Sequence, residues 1–135
     1  MSEAGRIVER FFALQRAMYL GAPVQPVEEL LAEDVVWHVP GRSPIAGDHT
    51  GRAAVAEYFR RRRALTGATL EIVDRGGMEA DDTVVRMADG RATIGGHQVS
   101  WRTAGIYRVE AGRLREVWLV PLDLEQFDRV WSGPG

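Results

Sequence analysis

Apolar residues at Ile7, Val8, Phe11, Phe12, Leu14 and Met18 recur at helical spacing, with arginines and a glutamate between them, and predict a first helix from Ile7 to Met18. Ser2 is placed to cap its start, and Gly21 followed by Pro23 ends it. A short second helix fits Pro26 to Ala32, with Pro26 in its first turn. The β-branched run from Val35 to Val39 then predicts a strand. Pro40 to Gly51, reading PGRSPIAGDHTG, is punctuated as a loop. Thr50 is the expected cap of a third helix, in which Val55, Tyr58, Phe59, Arg62 and Leu65 return at helical intervals until Thr66-Gly67.

Beyond Gly67 the period changes to two. Strands fit Thr69 to Arg75, Thr83 to Thr93, Val99 to Val109 and Leu114 to Leu122, with turns expected at Gly76-Gly77, Gly95-Gly96 and Ala111-Gly112. Short connections imply an antiparallel meander, and helices gathered ahead of it imply an α+β fold. A last helix fits Leu124 to Trp131.

Strand 99–109 alternates with Val99, Trp101, Thr103, Gly105, Tyr107 and Val109 on the face expected to meet the helices. In 114–122 a strict alternation groups Leu114, Trp118, Val120 and Leu122 against Val117 and Leu119. With both faces apolar, a partner chain is expected to cover the outer one, at Val117, Leu119 and Ile106, giving a homodimer. A sheet curled over helices with Trp37, Trp101 and Trp118 inside either fills with indoles or leaves an apolar ligand pocket.

The 135 residues suffice for a single domain spanning 1–135, and 17 basic against 19 acidic residues leave a net charge of −2, which favours neither nucleic acid nor an anionic membrane. The absence of cysteine removes disulfides, thiolate nucleophiles and sulfur-ligated metals. With no apolar run long enough to span a bilayer and no signal core at the N-terminus, a soluble, cytoplasmic protein is expected.

Candidate chemistry is sparse. The stretch DVVWHVPG carries His38, a possible base; if Trp37 and Val39 face a pocket, alternation turns His38 away from it unless the strand bulges near Pro40. His49 lies beside the start of the third helix, where a neutral imidazole is favoured and could act as base or donor, or simply be an exposed loop residue. His97 follows a Gly-Gly turn and is expected in solvent, and the histidine spacing suggests no metal site. Asp123 opens DLEQ, which reads as a capping box for the last helix. Arg86 either points to water, opposite Val85 and Met87, or enters the pocket to bind a carboxylate or enolate oxygen. The run Arg60 to Arg63 reads as a solvated helix face.

Taken together, AEDVVWHVPGRSPIAGDHTGRAAVAEYF and YRVEAGRLREVWLVPLDLEQFDRVW resemble the nuclear transport factor 2-like superfamily, specifically its SnoaL-like polyketide cyclase and ketosteroid isomerase group. The resemblance covers nearly the whole chain and implies a cone-shaped, curled antiparallel sheet, mixed at its edge, wrapped on three N-terminal helices as a cystatin-like α+β barrel. The C-terminal stretch is also similar to limonene epoxide hydrolases, which share the cone.

The family's working residues carry over poorly. The isomerase general base and the epoxide hydrolase asparagine both align with Val39, and the hydrolase tyrosine aligns with Trp37. The isomerase oxyanion tyrosine aligns near Phe11 and its protonated aspartate with Gly105. The hydrolase Arg-x-Asp pair becomes Arg86-Met87-Ala88, and its second carboxylate becomes Val120. The usual reactions of both groups therefore lack their residues.

What the resemblance leaves is a cofactor-free pocket for a hydrophobic small molecule, expected to be lined by Phe11, Trp37, Val39, Tyr58, Arg86, Trp101, Thr103, Trp118 and Val120. An isomerase- or cyclase-type enzyme acting on a hydrophobic carbonyl or polyketide-like compound would use His38 or His49 as base, with Arg86 or Tyr58 at the enolate oxygen. The alternatives are a non-catalytic binding protein and a dimeric interaction module.

Overall fold

A computed structural model describes residues 2–133. In chain order they form α1 (Glu3–Tyr19), α2 (Gln25–Glu28), β1 (Leu31–Val39), β2 (Gly47–Thr50), α3 (Arg52–Thr66), β3 (Glu71–Ala80), β4 (Thr83–Ile94), β5 (His97–Glu110), β6 (Arg113–Pro121) and α4 (Leu124–Ser132). The strands make one six-stranded sheet in the order β2-β1-β6-β5-β4-β3. The meander β3 to β6 is antiparallel, β1 joins β6 in parallel, and β2 folds back antiparallel on β1. The curled sheet is a mixed α+β cone, and it stays open: β2 and β3 are its two edges, so no barrel closes.

Helix α1 starts as expected, the Ser2 side chain accepting a hydrogen bond from the Gly5 amide. Val8, Phe11, Phe12, Gln15, Met18 and Tyr19 form its buried stripe against the sheet. The start of α3 differs from expectation. Gly51, with φ of 90°, is its N-cap, no side chain caps it, and Thr50 belongs to β2. Part of the expected loop is thus an edge strand. Helix α2 is also shorter than its pattern, because Leu31 already pairs with Leu114 and begins β1.

Two bulges decide which side chains face the helices. In β3, the pairs Asp74↔Ala88 and Gly76↔Met87 leave Arg75 unopposed, and Gly76 takes a φ of 99° there. The Gly76-Gly77 pair therefore kinks a strand that continues to Ala80, and the turn falls at Asp81-Asp82 with Asp81 left-handed.

In β6, Arg108 pairs with Glu116 but Val109 pairs with Leu114, so Arg115 is the extra residue. One bulged residue exchanges the faces of everything beyond it. Leu114 and Val117 both point inward, whereas Trp118 and Val120 point outward, the reverse of a strict alternation. The expected outer patch of Val117 and Leu119 accordingly lies inside, and only Ile106, paired with Trp118, stays outside.

Strand β5 keeps its expected alternation, with Trp101, Thr103, Gly105, Tyr107 and Val109 buried. Neighbouring glycines make room for its aromatic rings. A side chain at Gly90 would strike the Trp101 indole, and one at Gly105 would strike the Tyr107 phenol. Among the described residues no helix is long and apolar enough to cross a membrane.

Candidate functional site

Inside the cone, Trp37 from β1, Tyr58 and Arg62 from α3, Gln15 from α1 and Trp101, Thr103 and Tyr107 from β5 surround a void of about 20 Å³. That is room for one water-sized group. Behind it the rings pack tightly: Trp37 lies 5.5 Å from Phe11, 5.1 Å from Phe59 and 6.0 Å from Tyr58. Val39 is buried on the same inner face of β1.

The polar atoms around this void are unusual for a sealed core. Trp37 Nε1, the Tyr58 hydroxyl and Arg62 Nε are all buried and make no well-formed hydrogen bond, the Trp37 N–H lying close to the Tyr58 oxygen without the geometry of one. Buried polar groups are normally paired, so these three atoms stand out. Burial raises the Tyr58 pKa, while the nearby Arg62 charge and the Trp37 N–H pull it back in part. Burial likewise pushes Tyr107 far up, so both phenols are neutral at physiological pH.

Arg62 departs most from the sequence reading, which placed Arg60 to Arg63 on a solvated face. Arg62 is only 4% exposed. Its Nη1 donates to the Tyr19 hydroxyl at 3.0 Å, and its guanidinium lies over three rings, 5.3 Å from Tyr19, 5.4 Å from Tyr58 and 4.9 Å from Trp131. Among the described residues no carboxylate pairs with it. Burial opposes its charge, and the surrounding Tyr19, Tyr58 and Tyr107 oxygens offset that, so the group stays protonated. Its neighbours do face outward: Arg60 pairs with Glu28, Arg61 donates to the Pro44 carbonyl and Arg63 to the Ala22 carbonyl. The signal was present in the helical stripe, where Arg62 stands four residues after Tyr58 and three after Phe59.

Arg86 lies on the helix-facing side of β4, between the buried Val84 and Ala88, but it is already paired. Asp74 takes its Nη2 at 2.7 Å and its Nε at 3.2 Å. Burial alone would raise the Asp74 pKa, and Arg86 together with the Gly76 amide more than reverses that. The pair sits beside Val8, Glu9 and Phe12 of α1, in a separate cleft of about 310 Å³.

The histidines fall in three different places. His38 is on the outer face, as the alternation of β1 requires, with no bulge at Pro40 to turn it inward. Its Nδ1 lies 2.8 Å from Asp48 and its Nε2 2.7 Å from Glu116, and its ring stacks on Trp118 at 5.4 Å. With both nitrogens held by carboxylates, the ring has no free lone pair to serve as a base. It borders an apolar surface cleft of about 440 Å³ with Pro40, Trp118, Val120 and Leu124. His49 donates its Nε2–H to the Ile45 carbonyl at 2.9 Å and packs its ring 4.9 Å from Tyr58. His97 is exposed at the start of β5. Asp123 caps α4 through the Gln126 amide at 3.0 Å. Among the described residues no group of three or more His, Asp or Glu side chains is placed to hold a metal.

This arrangement can be set beside known proteins. The SnoaL-like domain model matches residues 8–117, from α1 into β6. The chain belongs to the SnoaL-like domain family. Among solved structures, this SnoaL-like chain is similar to Bal32a from a soil-derived mobile gene cassette, at 29% identity and a TM-score of 0.87 over 96% of each chain. A cystatin-like protein of unknown function from Xanthomonas campestris shares 22% identity, with a TM-score of 0.84 over 95% of this chain and 97% of that one. TerC, co-crystallised with polyporic acid, shares 17% identity, with a TM-score of 0.79 over 93% of this chain and 95% of its own. Several other neighbours are described as NTF2-like proteins. A search of curated proteins returned no match.

Proposed function

We propose that the cone interior is a binding site for a small hydrophobic molecule carrying an oxygen acceptor. The observation that carries this reading is that three residues lining one aromatic-walled void, Trp37, Tyr58 and Arg62, each keep a buried polar atom without a well-formed hydrogen bond. Donors left unsatisfied in a closed core cost stability, and a ligand oxygen removes that cost while the indoles and Phe12 take up its apolar body. The void admits only the oxygen end, so the rest of a ligand enters by moving side chains. α4 is the natural element to yield, being a short helix of 9 residues whose Phe127 and Trp131 pack against Trp101. TerC's co-crystal with polyporic acid adds a small molecule to the same fold, and makes that compound a reasonable first probe.

The isomerase- or cyclase-type reading is the second. The interior donors would stabilise an enolate oxygen, and His49, packed on Tyr58, is the candidate base. Binding without chemistry is preferred, because the ring best equipped with carboxylate support, His38, faces outward. We also infer a homodimer through the outer sheet face, where Val120, Leu122 and Leu124 are exposed beside Trp118. Sedimentation at micromolar concentration checks it: Val120→Asp should shift a dimer toward monomer, and a monomeric wild type would reject it.

Interior binding is tested by titrating polyporic acid and a panel of ring carbonyl compounds against tryptophan fluorescence, then recovering the ligand. Saturable quenching with ligand returned unchanged supports a binder. Turnover that is lost in His49→Ala supports the enzyme. Absence of saturable binding across the panel contradicts both.

A further inference from the structure

The Arg62 guanidinium identifies the ligand more narrowly than an oxygen acceptor. A full positive charge removed from water is costly unless an anion faces it. The aromatic faces of Tyr19, Tyr58 and Trp131 offset only part of that cost. The other buried polar groups at the void, on Gln15, Tyr58, Thr103 and Tyr107, are neutral, and Asp74, on the helix-facing side of β3, is committed to Arg86. Among the described residues, Arg62 is therefore an interior cation without a carboxylate partner. A methionine would fill the same space without the electrostatic cost, so the fold itself does not call for the charge.

The guanidinium of Arg62 is engaged at one nitrogen and unengaged at another. Tyr19 occupies Nη1, while Nε–H has no acceptor. Nε lies on the edge of a guanidinium that presents two parallel N–H groups and matches a carboxylate. Trp37 and Tyr58, which line the same void, add further buried polar groups without a well-formed hydrogen bond. We infer that the interior site takes an organic carboxylate, its anionic oxygens on the Nε edge of Arg62 and its apolar body against Trp37 and Trp101. This rests on the interior-site reading above and names the charge of the ligand. The run of arginines in α3 then divides by role: Arg60, Arg61 and Arg63 tie the helix to its surroundings, and Arg62 alone is turned to the ligand.

The test compares acids with their uncharged amides. Benzoate and benzamide, and acetate and acetamide, are titrated at neutral pH against the full chain, followed by tryptophan fluorescence and thermal shift. The expected result is that benzoate binds at least tenfold tighter than benzamide, that Arg62→Met removes the preference, and that Arg62→Lys keeps part of it. Equal affinity for acid and amide, or a preference that survives Arg62→Met, overturns the inference and leaves a neutral-ligand site standing. No saturable binding by any of the four overturns the inference and counts against the interior site itself. Should Arg62→Met fail to fold, the acid-to-amide ratio of the wild type decides the matter alone.

Discussion

The Arg62 guanidinium lies 4.9 Å from the Trp131 ring, so this buried cation of the cone interior faces an indole from α4 where a structural salt bridge would place a carboxylate. That contact links the last helix to the centre of the site.

If the charge serves binding at the expense of stability, replacing Arg62 by an apolar residue of similar length should be nearly harmless to folding. Arg62→Met is expected to unfold within about 1 kcal/mol of wild type in urea. Arg62→Ala, which also leaves a cavity, should lose about 2–4 kcal/mol. A loss from Arg62→Met as large as that from Arg62→Ala would make the arginine structural.

The glycines beneath the β5 aromatics should resist enlargement. Gly90→Ala drives a methyl group into Trp101, and Gly105→Ala drives one into Tyr107. Each should cost about 1–3 kcal/mol in chemical denaturation, the usual penalty for overpacking. A neutral result at both would mean that these rings do not sit over the glycines.

His38 gives a pH signature independent of the interior. Burial works against its protonation, but hydrogen bonds to Glu116 and Asp48 outweigh that and raise its pKa above the ordinary 6.5. A raised pKa in the folded state means that the pair contributes fully below the ordinary value and is lost as pH rises through the folded one. The stability gap between wild type and His38→Asn should therefore be widest near about pH 5.5 and shrink above neutrality, by up to about 1 kcal/mol. Thermal melts across that range check it, and a gap that widens with pH would contradict the assignment.

The outward turn of Trp118 separates it from the other tryptophans. Acrylamide should quench a variant retaining only Trp118 more strongly than one retaining only Trp37, and Trp118→Phe should cost less than about 1 kcal/mol. Equal protection of the two indoles would place Trp118 back inside.

Much of this could be read in the chain. Period-two alternation set the inner face of β5, and in β1 it turned Trp37 and Val39 in and His38 out, because neither strand departs from simple pleating there. The bulge at Arg115 could not be read, since no glycine or proline marks it, and it reversed Trp118, Val120, Val117 and Leu119 together. The β2 edge strand was hidden within a glycine-rich loop, and its pairing depends on β1. Arg62 is legible as a member of the α3 stripe, but it stands inside a charged run that reads as solvated. Helical position decided its burial, and local charge density did not.

The central claim, that the cone interior is the ligand site, is tested most directly by the indole N–H resonances of ¹⁵N-labelled protein during titration with benzoate. The Trp37 Nε1–H, buried without a well-formed hydrogen bond, should move saturably as it gains one, and the Trp118 Nε1–H on the outer face should stay in place. Movement of Trp118 alone, or of neither resonance at saturating benzoate, would contradict the account.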